Sequence, residues 1–225
     1  MNVKIHPLTL NFVQAYLIET AGGLFLVDCG MPGNEKKIRQ TMQGLGREDL
    51  KLIFITHAHP DHTGSAAALK RSSGAKIAIH RLEAEALRTA RMPVSSQNRL
   101  RRLVTAIIGW VFRVQPVEAD ILLEDGDSLE PYGLRGTVFH TPGHSPGSCC
   151  LVLEDQSGFV GDLVSTSGMP HLQHDIVDDW GQLHASYLRL RELGVGRAYP
   201  GHGEKSLSGS ELVALIDAEI DSIKA

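Results

Sequence analysis

Four side chains able to bind a metal ion fall within six positions: His57, His59, Asp61 and His62 of the run His57-Ala58-His59-Pro60-Asp61-His62. They follow the apolar stretch Leu52-Ile53-Phe54-Ile55, which reads as a buried strand ending in a Pro-containing polar loop. In extended backbone, residues i and i+2 point the same way, so His57 and His59 can grip one cation. Pro60 turns the chain, and Asp61 with His62 can then face a second. Imidazole mixed with carboxylate suits zinc, iron or manganese, whereas a calcium site is built from oxygen ligands. Ordinary surface histidines in a turn would be the bland explanation. The density of ligand types beside a buried strand argues against it.

Two cations need more donors than this run supplies. Three later segments offer them, each at a predicted strand end among glycines and prolines. Thr141-Pro142-Gly143-His144 presents His144, Phe159-Val160-Gly161-Asp162 presents Asp162, and Tyr199-Pro200-Gly201-His202-Gly203 presents His202. Such loops let backbone approach closely and fix the donor, as a preorganised site requires. Singly each is a weak signal. Four ligand-bearing loops on one framework are not.

The elements that must carry these loops are legible from periodicity. Phe12–Glu19 and Leu24–Asp28 read as a hairpin turning at Gly22-Gly23. Asn34–Leu45 has helical spacing, as does His62–Arg71, with Asp61 placed to cap it. Lys76–His80 predicts a strand and Glu83–Ala90 a helix. Later strands are expected at Ile121–Leu123, Thr137–Thr141, Ser148–Leu153, Gly158–Gly161 and Arg197–Tyr199. Helices are expected at Trp180–Leu193 and Ser210–Lys224. Strands and helices alternate in two successive blocks, an α/β pattern. Residues 1–225 read as one domain, with a basic helical insertion at about 92–116.

Composition narrows the function classes. The segment Ala86–Pro116 holds six arginines and no acidic residue. With that segment at +6, the rest of a chain whose net charge is −4 stands at −10. An acidic body argues against nucleic-acid binding. No apolar stretch approaches the ~20 residues of a membrane span. No signal peptide is visible at Met1-Asn2-Val3-Lys4, and Cys29, Cys149 and Cys150 form no disulfide framework. A cytoplasmic location is the expectation. Within the insertion, Leu103, Ile107, Trp110 and Phe112 define an apolar helix face. It fits a lid whose arginines receive an anionic part of a small-molecule substrate, and equally a helix packed on the core or at a homodimer interface.

Other candidates carry less. His171 and His174 lie in the irregular loop Ser165–Asp179 and read as ordinary loop residues before substrate contacts. His80 and His140 read as structural, and His6 and His184 give no signal. There is no G-x-S-x-G nucleophile motif, and no cysteine sits beside a histidine.

The set His57, His59, Asp61, His62, His144, Asp162 and His202 resembles the metallo-β-lactamase superfamily. The resemblance runs from Val27-Asp28-Cys29-Gly30 to Pro200-Gly201-His202-Gly203, nearly the whole chain. It implies a four-layer αββα sandwich of two similar halves, with the metal site at one sheet edge. It implies that His57, His59 and His144 hold one metal, that Asp61, His62 and His202 hold a second, and that Asp162 bridges both. Asp28 would orient the site from behind.

Two divalent ions ~3.5–4 Å apart, zinc first with iron or manganese as alternatives, would lower the pKa of a shared water toward ~7. The expected activity is a dinuclear metal-dependent hydrolase. Its metal-bound hydroxide would cleave a thioester, lactone or ester in a small molecule, with Asp61 taking up a proton. Asp162 resembles the bridging carboxylate of the glyoxalase II, lactonase and phosphodiesterase branch, which the true β-lactamases lack. Glyoxalase II carries a helical glutathione-binding domain, and here 23 residues follow His202. Lactonases place a Tyr after the bridging Asp, and none lies between Leu163 and Ser186. The alternatives are an iron-dependent thiol-persulfide dioxygenase-like oxidoreductase and a phosphodiesterase.

Overall fold

The computed structural model describes residues 3–92 and 111–224. Its first half runs β1 (Lys4–Leu10), β2 (Val13–Thr20), β3 (Gly23–Val27), α1 (Glu35–Gly44), β4 (Leu50–Ile55), α2 (Pro60–Thr63), α3 (Ala66–Ser73), β5 (Lys76–His80), α4 (Ala84–Thr89) and β6 (Ile121–Leu123). The second runs β7 (Gly136–His140), β8 (Cys149–Leu153), β9 (Ser157–Ser165), β10 (His171–Leu172), α5 (Trp180–Glu192), β11 (Arg197–His202), β12 (Leu207–Ser208) and α6 (Gly209–Lys224).

Two half-ladders result. β3, β4, β5 and β6 pair in parallel, with β2 and β1 added antiparallel; β7, β8 and β9 are antiparallel neighbours, and β9 pairs parallel to β11. The halves are joined where β2 meets β11, at the pair Val13–His202. Strand periodicity of two explains the layers. Leu24, Leu26, Ile53, Ile55, Ile77 and Ile79 face one way and pack with Ile38 and Met42 of α1 and Leu69 of α3. Phe25, Val27, Phe54 and Ala78 face the other way, against Val138, Leu151 and Phe159 of the second half. Beyond these, Val160, Val164 and Ala198 pack on Leu183, Tyr187 and Leu190 of α5 and Leu212 and Ile216 of α6. Three cores separate four layers, an αββα sandwich. Burial on both faces accounts for the unbroken apolar runs of β3 and β4.

Several expectations shift. The helix predicted from His62 to Arg71 is broken into α2 and α3, and Asp61 lies inside the first turn of α2, where His59 takes the cap position. β1 was not expected; it pairs with β2 along its whole length. Asp162 does not follow a strand but sits within β9, and His202 is the last residue of β11. The basic helical insertion expected at about 92–116, with Leu103, Ile107 and Trp110, falls mainly on residues 93–110, outside the described residues. Both the lid and the interface readings lie there too.

Candidate metal centre

β4 ends at Ile55, and the next residues carry the first donors. His59 remains extended at φ −78°, ψ 152°, before Pro60 opens the turn α2 that carries Asp61 and His62. His144 comes from the loop between β7 and β8. Asp162 comes from β9 directly after Gly161, whose φ of +51° accompanies a slip in the β9–β11 register. His202 closes β11 at the seam between the half-ladders. The seven predicted ligands therefore converge on one edge of the sandwich, in two sets.

In the first set, His57 Nε2 lies 3.0 Å from His59 Nδ1 and 3.2 Å from His144 Nε2. His144 Nε2 is 2.9 Å from His59 Nδ1. Asp162 Oδ2 completes the set at 3.4 Å from His144 Nε2 and 3.8 Å from His57 Nε2. In the second, Asp61 Oδ2 lies 3.7 Å from His62 Nε2 and 3.5 Å from His202 Nε2. Asp162 reaches this set as well, Oδ1 being 3.3 Å from His62 Nε2 and Oδ2 3.3 Å from His202 Nε2.

The protons show what these atoms await. Thr56 Oγ1 donates to Asp28 Oδ2 at 2.8 Å, so it accepts from His57 Nδ1–H at 3.0 Å, leaving the His57 Nε2 lone pair bare. His62 Nδ1–H donates to Asp28 Oδ2 at 2.8 Å, and His202 Nδ1–H donates to the Phe12 carbonyl at 3.0 Å. Their Nε2 atoms also point inward. His62 Nε2 and Asp162 Oδ1 are buried without a hydrogen-bond partner. Buried lone pairs converging without a shared proton need a cation. The spacing fits one: ligands on ~2.0–2.1 Å bonds around a tetrahedral ion stand ~3.3–3.4 Å apart.

Electrostatics divide the two sets. Burial holds His57, His59 and His144 below the ordinary imidazole range, so they are neutral, the form that ligates. For His62, burial pulls the same way but is outweighed by the carboxylates of Asp162, Asp28 and Asp61, which raise its pKa well above the usual value. Burial would raise Asp162, yet His62 and His57 hold it well below the carboxylate range. The positive charge that these carboxylates favour is what a divalent ion supplies.

Asp28 takes the orienting position expected of it. Its φ is +55°, and it accepts from the Thr56 amide, the Thr56 hydroxyl and His62 Nδ1. Two contributors were missed in the sequence. Glu83, fully buried, accepts from Ala58 N, Ser145 Oγ and Gly147 N. Gln173, also buried, donates Nε2–H to Asp162 Oδ2 at 3.2 Å. Glu83 looks like any helix-start glutamate, and Gln173 sat unremarked between His171 and His174. Those two histidines stand apart from both sets. His171 Nδ1–H donates to the Met169 carbonyl, and His174 lies 3.4 Å from Glu219.

The fold and this ligand edge define a class. The model of the metallo-beta-lactamase superfamily matches residues 8–202, and the chain belongs to that superfamily. Among individual relatives, the human acyl-coenzyme A thioesterase MBLAC2 is 32% identical over 174 residues, 73% of this chain and 60% of that protein. A metallo-beta-lactamase family protein of Thermus thermophilus superposes with a TM-score of 0.78 at 25% identity, covering 99% of this chain and 79% of that one. TTHA1623, solved in a di-iron-bound form, superposes at 0.72 with 27% identity over 94% of this chain and 98% of its own. The chain spans 53–60% of the length of the curated relatives it matches first. The fold and its His/Asp cluster indicate divalent metal ions.

Proposed function

We propose that this chain, as a single domain, is a dinuclear metal-dependent hydrolase that cleaves a thioester or related ester-type bond in a small molecule. The observation that carries it is the double role of Asp162, whose two oxygens reach both ligand sets. His57, His59 and His144 hold one ion and Asp61, His62 and His202 the other. Zinc suits the nitrogen-rich first set best, and the di-iron relative keeps iron open. Bound there, the pair of ions would lower the pKa of a shared water toward ~7 and polarise a substrate carbonyl.

The chain's own residues supply the rest. His57, His59, His62 and His144 are buried, whereas side chains of His202 and Asp61 remain 14% and 20% exposed, so substrate approaches from their side. Phe12, 58% exposed, lies parallel to the His202 ring with centroids 6.1 Å apart and offers an apolar face there. Asp61, on this open side, would take up a proton. The thioester preference rests on the human relative's named activity. Three buried free thiols suit a reducing, cytoplasmic setting; among the described residues, no helix is long and apolar enough to cross a membrane.

The test is metal content per chain beside turnover on thioester, lactone and phosphodiester substrates. Two ions with thioester turnover is the expected result. One iron per chain, with oxygen consumed on a persulfide, would sink the proposal. Asp162→Ala should lower metal occupancy and turnover together, and full activity in that variant would remove the bridging role.

A further inference from the structure

Glu83 is a buried carboxylate outside both ligand sets, and its hydrogen bonds go to the two loops that carry the three-histidine set. Its Oε2 accepts from the Ala58 amide at 2.9 Å, between His57 and His59. Its Oε1 accepts from Ser145 Oγ and from the Gly147 amide, both at 2.7 Å, on the loop that carries His144. The loop is shaped around it: a Cβ at Gly147 would stand 2.6 Å from Glu83 Cγ. Burial raises the Glu83 carboxyl above the ordinary carboxylate range, and these three donors offset only part of the rise. The second set has different supports, with His62 held by Asp28 and His202 by the Phe12 carbonyl.

We propose that Glu83 is a positioning residue that fixes the spacing between His59 and His144, and thereby sets the cation affinity of the three-histidine site alone. The physical reason is that one buried acceptor ties together two loops that are also joined at their bases, where the Cys149 amide donates to the Thr56 carbonyl. Donor atoms held 2.9–3.2 Å apart then need to spread by only a few tenths of an ångström, roughly, when the ion arrives. Without it the loop segments beyond that base bond gain freedom, and ordering them is charged against binding. The inference rests on the dinuclear reading above.

The experiment is a titration of the metal-free protein with zinc against a chromophoric chelator, with cobalt(II) spectra reporting coordination. Glu83→Gln should weaken one of two sites roughly 10–100-fold and leave the other unchanged. Ser145→Ala, which removes a single donor and buries no charge, should weaken the same site less. Glu85→Gln, an exposed neighbour paired with Arg88, should change nothing. In a His202→Ala background Glu83→Gln should weaken the remaining ion, and in a His144→Ala background it should have no effect. Equal weakening of both sites, or none in Ser145→Ala, would overturn the assignment. Wild-type protein that takes up no pair of ions would overturn the dinuclear reading instead.

Discussion

At the scale of the residue, the centre depends on where protons are and on how little room remains. Thr56, Asp28 and the Phe12 carbonyl each hold an Nδ1 proton directly or in relay, so that Nε2 of His57, His62 and His202 faces inward. Gly201 supplies the room. A Cβ there would overlap Asp162 Oδ1 and stand 2.9 Å from His62 Cε1. Gly201→Ala is therefore expected to displace the Asp162 carboxylate and weaken metal binding roughly 10-fold or more, as losses of orienting contacts do. Competitive metal titration checks this; wild-type affinity in that variant would show that the close approach is not needed.

At the scale of the element, the two half-ladders must keep their seam, because His202 sits on it. Tyr16 of β2 crosses to the second half. Its hydroxyl donates to the Pro200 carbonyl at 2.6 Å, and its ring packs 5.3 Å from both Phe159 and Tyr199. Tyr16→Phe keeps the ring and strands a buried carbonyl, so unfolding free energy should fall by about 1–3 kcal/mol. A denaturant curve superimposed on the wild type would show the bond to be dispensable. The elements also show where sequence patterns mislead. Periodicity joined His62 to Arg71 in one helix, but α2 stops at Thr63 and α3 restarts at Ala66. A Cβ at the intervening Gly64 would strike the Met31–Pro32 backbone, a contact that no local pattern reports.

At the scale of the whole molecule, stability is coupled to pH and to metal. His80 stacks on His140 with centroids 4.1 Å apart and planes within 8°. Burial, then the neighbouring His140, lowers its pKa to about 4. An unfolded chain takes up that proton near ~6.5, so between these values the unfolded state binds more protons. Stability is complete above ~6.5 and falls as pH drops toward 4, by about 2 kcal/mol from this residue once solvent screening is allowed for. His80→Asn keeps an acceptor for the Leu82 amide and does not titrate. Urea unfolding of metal-free protein at about pH 7 and about pH 4.5, either side of most of this transition, should show a shallower acid loss in the variant; parallel losses would acquit His80. Metal acts in the opposite sense. An ion at about a hundred times its Kd adds ~2.7 kcal/mol per site, so a chelator that strips two ions should lower Tm by roughly 10–20 °C. A Tm indifferent to chelator would mean that the cluster binds nothing.

Candidate ligand types, their order and most of the strand-and-loop frame that presents them were legible along the chain. Metal chemistry selects imidazole and carboxylate, and strand alternation is a local property. His57, His59, Asp61, His62, His144, Asp162 and His202 were legible for that reason. Tertiary structure decided what depends on distant chain. It placed Asp162 within β9 rather than after it, and brought Glu83 and Gln173 behind the ligands. It also chose Asp61 and His202 as the open side. These follow from which segments meet once the chain is folded, as when Glu83 reaches Ser145, and sequence spacing holds no record of that meeting.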